Sequence, residues 1–389
     1  MKKMQKIFRQ FLLLVKFVYY KIYSDIMKID YGDLWIISER GIDARDNGYH
    51  FFKYLRENHP DINVQYIIKK TSPDYEKVKN IGPVIEYRSK KHYLAFINAK
   101  VLISTHIMGF SPDMGLFTRL NKNNYCKIKG LMFSIKHGIT KDAIDINPKI
   151  NKLEFVVAGA KPEYDFMLEK LNGFNQDNLK YTGFARFDNL ISNPRNRILI
   201  MPTFRMYDNF IDNNLFKRTT FYKYYNSLLN NKELIDFTEK MGYEIIFYPH
   251  IEFQKYLNLF ETNSTAVKLA NMQEYDVQEL LITSKLLVTD YSSVFFDFAY
   301  MKKPILYYHF DYNEYRKGHY KEGYFQYDRD GFGKICDNER VLVQNIIGAL
   351  QNDFRMEGIY LQKISKFFSY NDNHNSQRIY DEIIKKLEK

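Results

Sequence analysis

Cysteine is nearly missing from these 389 residues: Cys126 and Cys336 are the only two, far apart and in unrelated contexts. That supports neither a disulfide framework nor a thiolate metal site, and it fits a reducing compartment. No His-Glu-x-x-His pair occurs, and Asp290 and Asp297 do not make the Asp-x-Asp spacing that many metal-dependent nucleotide-sugar enzymes use. No Gly-x-Gly-x-x-Gly fingerprint opens a helix and no Walker phosphate loop is present, which removes the usual dinucleotide and nucleoside-triphosphate signatures. The apolar run 11–20 is broken by Lys16, too short and too charged to span a bilayer. No small-residue cleavage site follows it, so a signal peptide is not expected. There is no internal repeat or low-complexity run. The aromatics are spread through predicted core elements, so a stacking platform for nucleic acid is not expected.

What the chain does have is length, apolar bulk and positive charge. Its length exceeds one ordinary domain, and two compact domains are expected. Hydrophobic residues make up 45%, with 33 Tyr and 31 Phe, enough for sizeable cores and against disorder. Fifty-seven Lys and Arg against 46 Asp and Glu leave a net charge of +11. That sign favours an anionic partner without choosing among membrane surface, phosphate polymer, nucleotide and nucleic acid. The first thirty residues concentrate it: Lys2, Lys3, Lys6, Arg9, Lys16, Lys21 and Lys28 are interspersed with Phe, Leu, Val and Tyr. This pattern predicts a basic amphipathic helix lying on an anionic membrane surface; a helix packed on the first domain is the other reading.

Downstream, short apolar runs alternate with helical patterns. Strands are expected at 33–38, 64–69, 84–87 (an edge), 101–104, 131–135 and 155–159, the last of the first half. Helices are expected at 49–58, 91–98 and 161–171. The second half repeats the theme, with strands at 197–201, 244–250, 267–269, 286–289 and 305–308. Its helices are expected at 234–240, 251–260, 276–284, 294–301, 337–350 and 376–389. The segment 206–232, rich in Asn, Tyr and Phe, reads as a mobile flap. The alternation predicts an α/β chain of two Rossmann-like domains facing a cleft (GT-B type). Residues 1–30 form the amphipathic helix, 31–186 the first domain, 187–374 the second, and 375–389 a last helix crossing back to the first.

The stretch 284–333 organises the rest. Between two apolar strands lies Asp290-Tyr291-Ser292-Ser293, a turn of helix N-cap residues at the carboxyl edge of a parallel sheet. Open α/β sheets hold phosphates at such edges. Beyond it Arg316, His319, Lys321 and Arg329 stand among Tyr and Gly, cations beside a candidate anion site. In the first half, His137 ends the strand 131–135 before Gly138, with Lys136 and Lys141 nearby to draw phosphate. His106 ends the strand 101–104.

The runs DYSSVFFDFAYMKKPILYYHFD, YRKGHYKEGYF and DGFG together resemble the C-terminal signature of the CDP-glycerol glycerophosphotransferase family. That family comprises teichoic-acid primases and polymerases and their capsule-modifying relatives. The resemblance extends upstream. SERGIDARDNGYHFFKYL is similar to the start of the family's catalytic domain, and His137-Gly138 to its strand-end His-Gly. Gly183-Phe184-Ala185-Arg186-Phe187-Asp188 is similar to its Gly-x-x-Arg-Phe-Asp connector, Pro202-Thr203-Phe204-Arg205 to its Pro-Thr-aromatic-Arg turn, and Pro249-His250 to its Pro-His element.

The resemblance implies transfer of glycerol phosphate from CDP-glycerol to a hydroxyl of a teichoic-acid or capsular-polysaccharide acceptor, releasing CMP. CDP-ribitol is the alternative donor, and a nucleotide-sugar glycosyltransferase of GT-B type the alternative enzyme. It makes the first domain the acceptor side and the second the CDP-donor side. Phosphoryl-type transfer needs in-line positioning and dispersed positive charge. His137 is the implied general base, because a neutral imidazole can take the acceptor's proton, with His106 the second candidate. His250 holds donor phosphate oxygens. Thr203, Arg205, Asp290, Ser292, Ser293, Arg316, His319 and Lys321 are the donor-binding set, and Arg40, Arg45, His106, Lys136 and Lys141 the acceptor-side set. Arg186 is expected to pin the linker to a carboxylate. No obligatory metal or cofactor is expected, since cationic side chains offset the charge. The acceptor is lipid-linked or polysaccharide, and the location the cytoplasmic face of the membrane, peripherally bound.

Overall fold

The computed structural model describes residues 2–126, 128–142, 146–318 and 322–389, without side chains at 2–4 and 6. They form two compact units: Met1–Ile139 with Asp145–Asn189 and Asp372–Lys389, and Thr140–Ile144 with Leu190–Asn371.

The first unit is built on seven strands: β1 (Trp35–Ser38), β2 (Val64–Ile68), β3 (Val84–Glu86), β4 (Val101–Ser104), β5 (Leu131–Ser134), β6 (Phe155–Ala158) and β7 (Leu179–Tyr181). All pair in parallel, in the order β3-β2-β1-β4-β5-β6-β7. β1, β4 and β6 are buried at every position. A parallel sheet is covered on both faces, which is why these strands read as continuous apolar runs. The helix Lys2–Ile26 belongs to this unit, and its Phe17 packs on Phe96 and Phe117. The helix Asn375–Leu387 also belongs to it, with Asp188 accepting the Asn375 and Ser376 amides at 2.8 Å each.

The second unit carries β8 (Arg197–Ile200), β9 (Glu244–Phe247), β10 (Val267–Leu269), β11 (Leu286–Thr289), β12 (Ile305–Tyr308) and β13 (Gly333–Cys336). They are again all parallel, in the order β10-β9-β8-β11-β12-β13. In each sheet the order reverses once, between β1 and β4 and between β8 and β11. The carboxyl ends of strands at such a reversal are where this fold takes ligands.

Two expectations are corrected. β6 is not the last strand of its sheet, because β7 follows it along the edge. The segment 206–232 is not a flap throughout: its helix Thr220–Leu229 buries Phe221, Tyr225 and Leu228 in the core of the second unit. Those positions repeat at i, i+4 and i+7, the spacing of one helical face.

Candidate active site

The carboxyl edge of the first sheet assembles around β1, β4 and β5. β5 extends one bond past its end, with the Ile135 amide donating to Ser104 O at 3.0 Å, and Lys136 then takes a left-handed φ of +48°. The chain turns sharply there and presents His137. The His137 ring lies on that of His106, with centroids 4.7 Å apart and planes 11° from parallel. His106 Nδ1 is 2.9 Å from Thr105 Oγ1. Burial lowers His106 to about 4, helped by the charge of Arg40. His137 is exposed at the turn, and the protein packed around its ring lowers its affinity for a proton, with His106, Lys136, Arg186 and Arg40 adding to it. Both rings are therefore neutral at neutral pH, and a neutral imidazole has a lone pair to offer.

The loop after β1 closes around Glu39. Its buried carboxyl accepts the Arg45 amide at 3.0 Å, the Asp46 amide at 2.8 Å and the Tyr49 amide at 3.1 Å. Burial raises it to about 8, with Asp46 and Asp43 adding to the rise and the amide bonds opposing it. Asp46 caps the helix Asn47–Asn58.

In the second unit the reversal point is filled by a buried ion cluster. Arg205 is fully buried and forks onto Asp311 with bonds of 2.6 and 3.0 Å. Its Nη1 donates to Asp290 Oδ2 at 2.9 Å and to Thr203 O at 3.0 Å. Asp290 Oδ1 accepts the Thr203 amide at 2.8 Å, and Tyr291 Oη donates to Asp311 at 3.0 Å. His309 Nε2 lies 3.3 Å from Asp290 O. A buried guanidinium with two carboxylates in fork geometry is the arrangement that low dielectric demands of charge. The cluster ties the ends of β8, β11 and β12 together.

At the end of β9, His250 stacks on Phe204 at 4.8 Å. Its Nδ1 accepts the Glu252 amide at 3.2 Å. Burial lowers its affinity for a proton, against Glu252 and Asp290. With Nδ1 an acceptor and the ring neutral, the proton is on Nε2, which makes Nε2–H a donor and not a point charge.

The expected site residues are thus sorted. His106 and His137 are together. Thr203, Arg205 and Asp290 are together, but the expectation that Arg205 and Asp290 touch the donor is corrected, since both side chains have zero exposure and are consumed by one another and by Asp311. Lys136 is corrected in the same way: its ammonium is buried against Glu163. Lys141 is buried on Asp142, which also receives Arg316 Nη1 at 2.8 Å; these three fall in the second unit, apart from His106 and His137 in the first. Arg40 pairs with Asp43, and Arg45 with Asp74 at 2.9 Å. Ser292 is buried and Ser293 exposed at the start of the seven-residue helix Val294–Tyr300, where Ser293 makes no side-chain cap bond. His319 and Lys321 lie outside the described residues. Among the described residues, no group of three or more His, Cys, Asp or Glu is placed to hold a metal ion. Asp311, His309 and Glu163 were not singled out from sequence, although Asp311 and His309 stand at a strand end within the quoted run.

The family model described as CDP-Glycerol:Poly(glycerophosphate) glycerophosphotransferase matches residues 19–385. The minor teichoic acid biosynthesis protein GgaB of Bacillus subtilis (strain 168) is 34% identical over 368 residues, covering 90% of this chain and 39% of GgaB. The chain thus spans about two fifths of that relative's length. The teichoic acid glycerol-phosphate transferase of Staphylococcus aureus (strain NCTC 8325 / PS 47) is 35% identical over 114 residues, 28% of each protein. A solved structure of the wall teichoic acid polymerase TagF shares the fold with a TM-score of 0.70 at 16% identity, covering 100% of this chain and 98% of that one.

Proposed function

The chain belongs to the CDP-glycerol:poly(glycerophosphate) glycerophosphotransferase family, and from that premise we propose that it transfers glycerol phosphate from CDP-glycerol to a hydroxyl of a teichoic-acid-type acceptor, releasing CMP. The observation that carries this reading is His137: a neutral, stacked imidazole at the carboxyl edge of a doubly wound sheet. The acceptor oxygen attacks the β-phosphorus, its proton passes to the free ring nitrogen of His137, and the bond from phosphorus to CMP breaks. An arriving phosphate anion favours the imidazolium and so raises the low proton affinity of the empty site. On the donor side, exposed Ser293, Ser292 and the Nε2–H of His250 are the hydrogen-bond donors, with Arg316, His319 and Lys321 supplying charge. The clasp of Thr203, Arg205, Asp290 and Asp311 holds the Asp290–Ser293 turn.

The test is a donor screen. Purified protein is incubated with a synthetic glycerol-phosphate oligomer and CDP-glycerol, CDP-ribitol or UDP-glucose. CMP release and an oligomer heavier by one glycerol phosphate are expected with CDP-glycerol. Turnover with CDP-ribitol alone changes the donor, and turnover with UDP-glucose alone overturns the reading.

The same reading extends to location: the protein works at the cytoplasmic face of the membrane, on an acceptor carried there. Among the described residues no helix is long and apolar enough to cross a membrane. The helix Lys2–Ile26 buries Leu13 and Phe17 but leaves Phe8, Phe11, Val15, Tyr19, Ile22 and Ile26 exposed, with Lys16 beside them. A 25-residue helix with an uncovered apolar stripe and basic neighbours suits the interface of an anionic bilayer. Replacing Phe8, Phe11 and Tyr19 by Ser is expected to weaken sedimentation with phosphatidylglycerol vesicles by at least about tenfold, from the apolar area lost. Turnover on the soluble oligomer is expected to be unchanged. Equal vesicle binding by wild type and variant counts against the membrane assignment.

A further inference from the structure

We infer that Asn47 and Arg186 are positioning residues for His137, fixing the peptide that carries the imidazole. This rests on the reading of His137 as the base. Asn47 is the first residue of the helix Asn47–Asn58, yet the cap of that helix is Asp46, so capping does not account for its side chain. The carboxamide is fully buried and used at both ends. Its Nδ2 donates to Lys136 O at 2.8 Å and lies 3.4 Å from Ile135 O, while its Oδ1 accepts the Arg186 amide at 3.1 Å. Arg186 closes the circuit, because its Nη1 donates to His137 O at 2.8 Å and to Asp46 Oδ1 at 3.0 Å. Two side chains thereby hold the carbonyls of three consecutive residues, Ile135, Lys136 and His137, just where the sheet ladder ends and leaves backbone groups to be satisfied.

The conformation being held is one that needs holding. A non-glycine residue in the left-handed region costs free energy and persists where its surroundings over-determine it. At Lys136 they do: its ammonium is locked onto Glu163, whose other oxygen accepts the Gly159 amide at 2.7 Å. Arg186 is itself anchored. It lies on the 3₁₀ turn Ala185–Asn189, whose Asp188 grips the start of the helix Asn375–Leu387. Gly183, just before that turn, has φ +76° and packs so close to Asn375 that a Cβ would collide with it. The turn therefore has little freedom, and what it delivers is the guanidinium on the His137 carbonyl. An imidazole attached to a peptide fixed in this way is aimed before substrate arrives, and a displacement of about 1 Å at such a group costs on the order of 10²-fold in rate.

The test uses the full chain, CDP-glycerol and the glycerol-phosphate oligomer, with Asn47→Ala, Asn47→Asp, Arg186→Ala, Arg186→Lys and His137→Ala measured side by side. Asn47→Ala and Arg186→Ala are expected to lower kcat by about 10–100-fold, with KM for CDP-glycerol within about threefold of wild type. Arg186→Lys is expected to recover part of the loss, since an ammonium keeps the charge and reaches one oxygen but cannot fork. The acid limb of kcat/KM reports the free base. The titratable and charged groups around His137 are Arg40, neutral His106, Arg186 and Lys136 with its partner Glu163, with Asp46 beyond Arg186. Removing Arg186 takes one cation away, so the limb moves to higher pH in Arg186→Ala and stays in place in Asn47→Ala. A merely structural role would lower the melting temperature and scale kcat with the folded fraction, leaving kcat per folded molecule at the wild-type value. If Asn47→Ala does not fold, Asn47→Asp decides on kcat and KM alone, because it keeps the acceptor for the Arg186 amide and loses the donor to the carbonyls, while its added carboxylate moves the limb to higher pH. Folded variants with wild-type kcat overturn the assignment. If His137→Ala is inactive while they turn over normally, only the positioning role falls. If His137→Ala is itself fully active, the reading of the base falls and this inference with it.

Discussion

His137→Ala is expected to reduce kcat for glycerol-phosphate transfer by about 10²–10⁴-fold, the contribution of a positioned general base, while CDP-glycerol still binds. The two parts of this expectation have separate origins. The imidazole sits at the end of β5 in the first unit, whereas the proposed donor groups, Ser292, Ser293 and His250, all belong to the second. Loss of the ring deletes a proton acceptor and no proposed donor contact. Nor does the substitution threaten the fold, since what it removes is one ring pair with His106, worth about 0.5–1.5 kcal/mol beyond burial, against a typical domain stability of about 5–15 kcal/mol. CMP release at saturating donor measures the first part, and titration calorimetry with CDP-glycerol the second. His106→Ala serves as the comparison. His106 is tied to Thr105 and stacks on the proposed base, so its loss is expected to be the smaller of the two. Activity of His137→Ala within about tenfold of wild type, or a larger loss in His106→Ala, would move the base to His106 or remove it from this edge.

The parts of the fold that sequence made legible are those with one physical cause. Leu286–Thr289 and Ile305–Tyr308 are buried at all four positions, and such runs announce themselves in an all-parallel sheet. The strands that escaped notice are edges. β7 is Leu-Lys-Tyr with one residue buried, and β13 exposes Lys334 and Ile335. Neither makes an apolar run, and three or four residues are too few to show alternation. The site divided along the same line. Histidines at strand ends were visible, because a strand's end and its next residue are local facts. The charges were not, because sequence shows a cation and hides its partner. Arg205 looked like a ligand for phosphate, yet its carboxylates lie 85 and 106 positions further on, at Asp290 and Asp311. Lys136 beside His137 looked like an anion trap, and its partner Glu163 is 27 positions away on a separate helix. Net charge limits the kind of partner a surface attracts; it does not say which cations face outward.

Arg205→Ala is expected to destabilise the second unit by about 3–5 kcal/mol, the cost of removing one member of a buried ionic group. The substitution leaves Asp290 and Asp311 buried with no cation between them, and the fork that joined the ends of β8, β11 and β12 is gone. It also empties a space ringed by Phe221, Tyr291, Phe310 and Tyr315, whose rings lie 5.0–5.8 Å from the guanidinium carbon. Arg205→Lys is expected to be only partly better, because an ammonium has no planar fork with which to bridge two carboxylates. The triple variant Arg205→Met, Asp290→Asn, Asp311→Asn is expected to regain most of the loss, as neutralising the whole group removes the uncompensated charge. Urea unfolding followed by circular dichroism measures the change. The single Trp, Trp35 on buried β1, follows the first unit by fluorescence, so the part of the transition that moves without it belongs to the second. A donor-binding arginine behaves differently: Arg205→Lys would raise KM for CDP-glycerol and leave the urea midpoint in place. That outcome would return Arg205 to the donor. The opposite one, a lowered midpoint with KM unchanged in the fraction that remains folded, makes the ion cluster the rigid floor on which the Asp290–Ser293 turn is held.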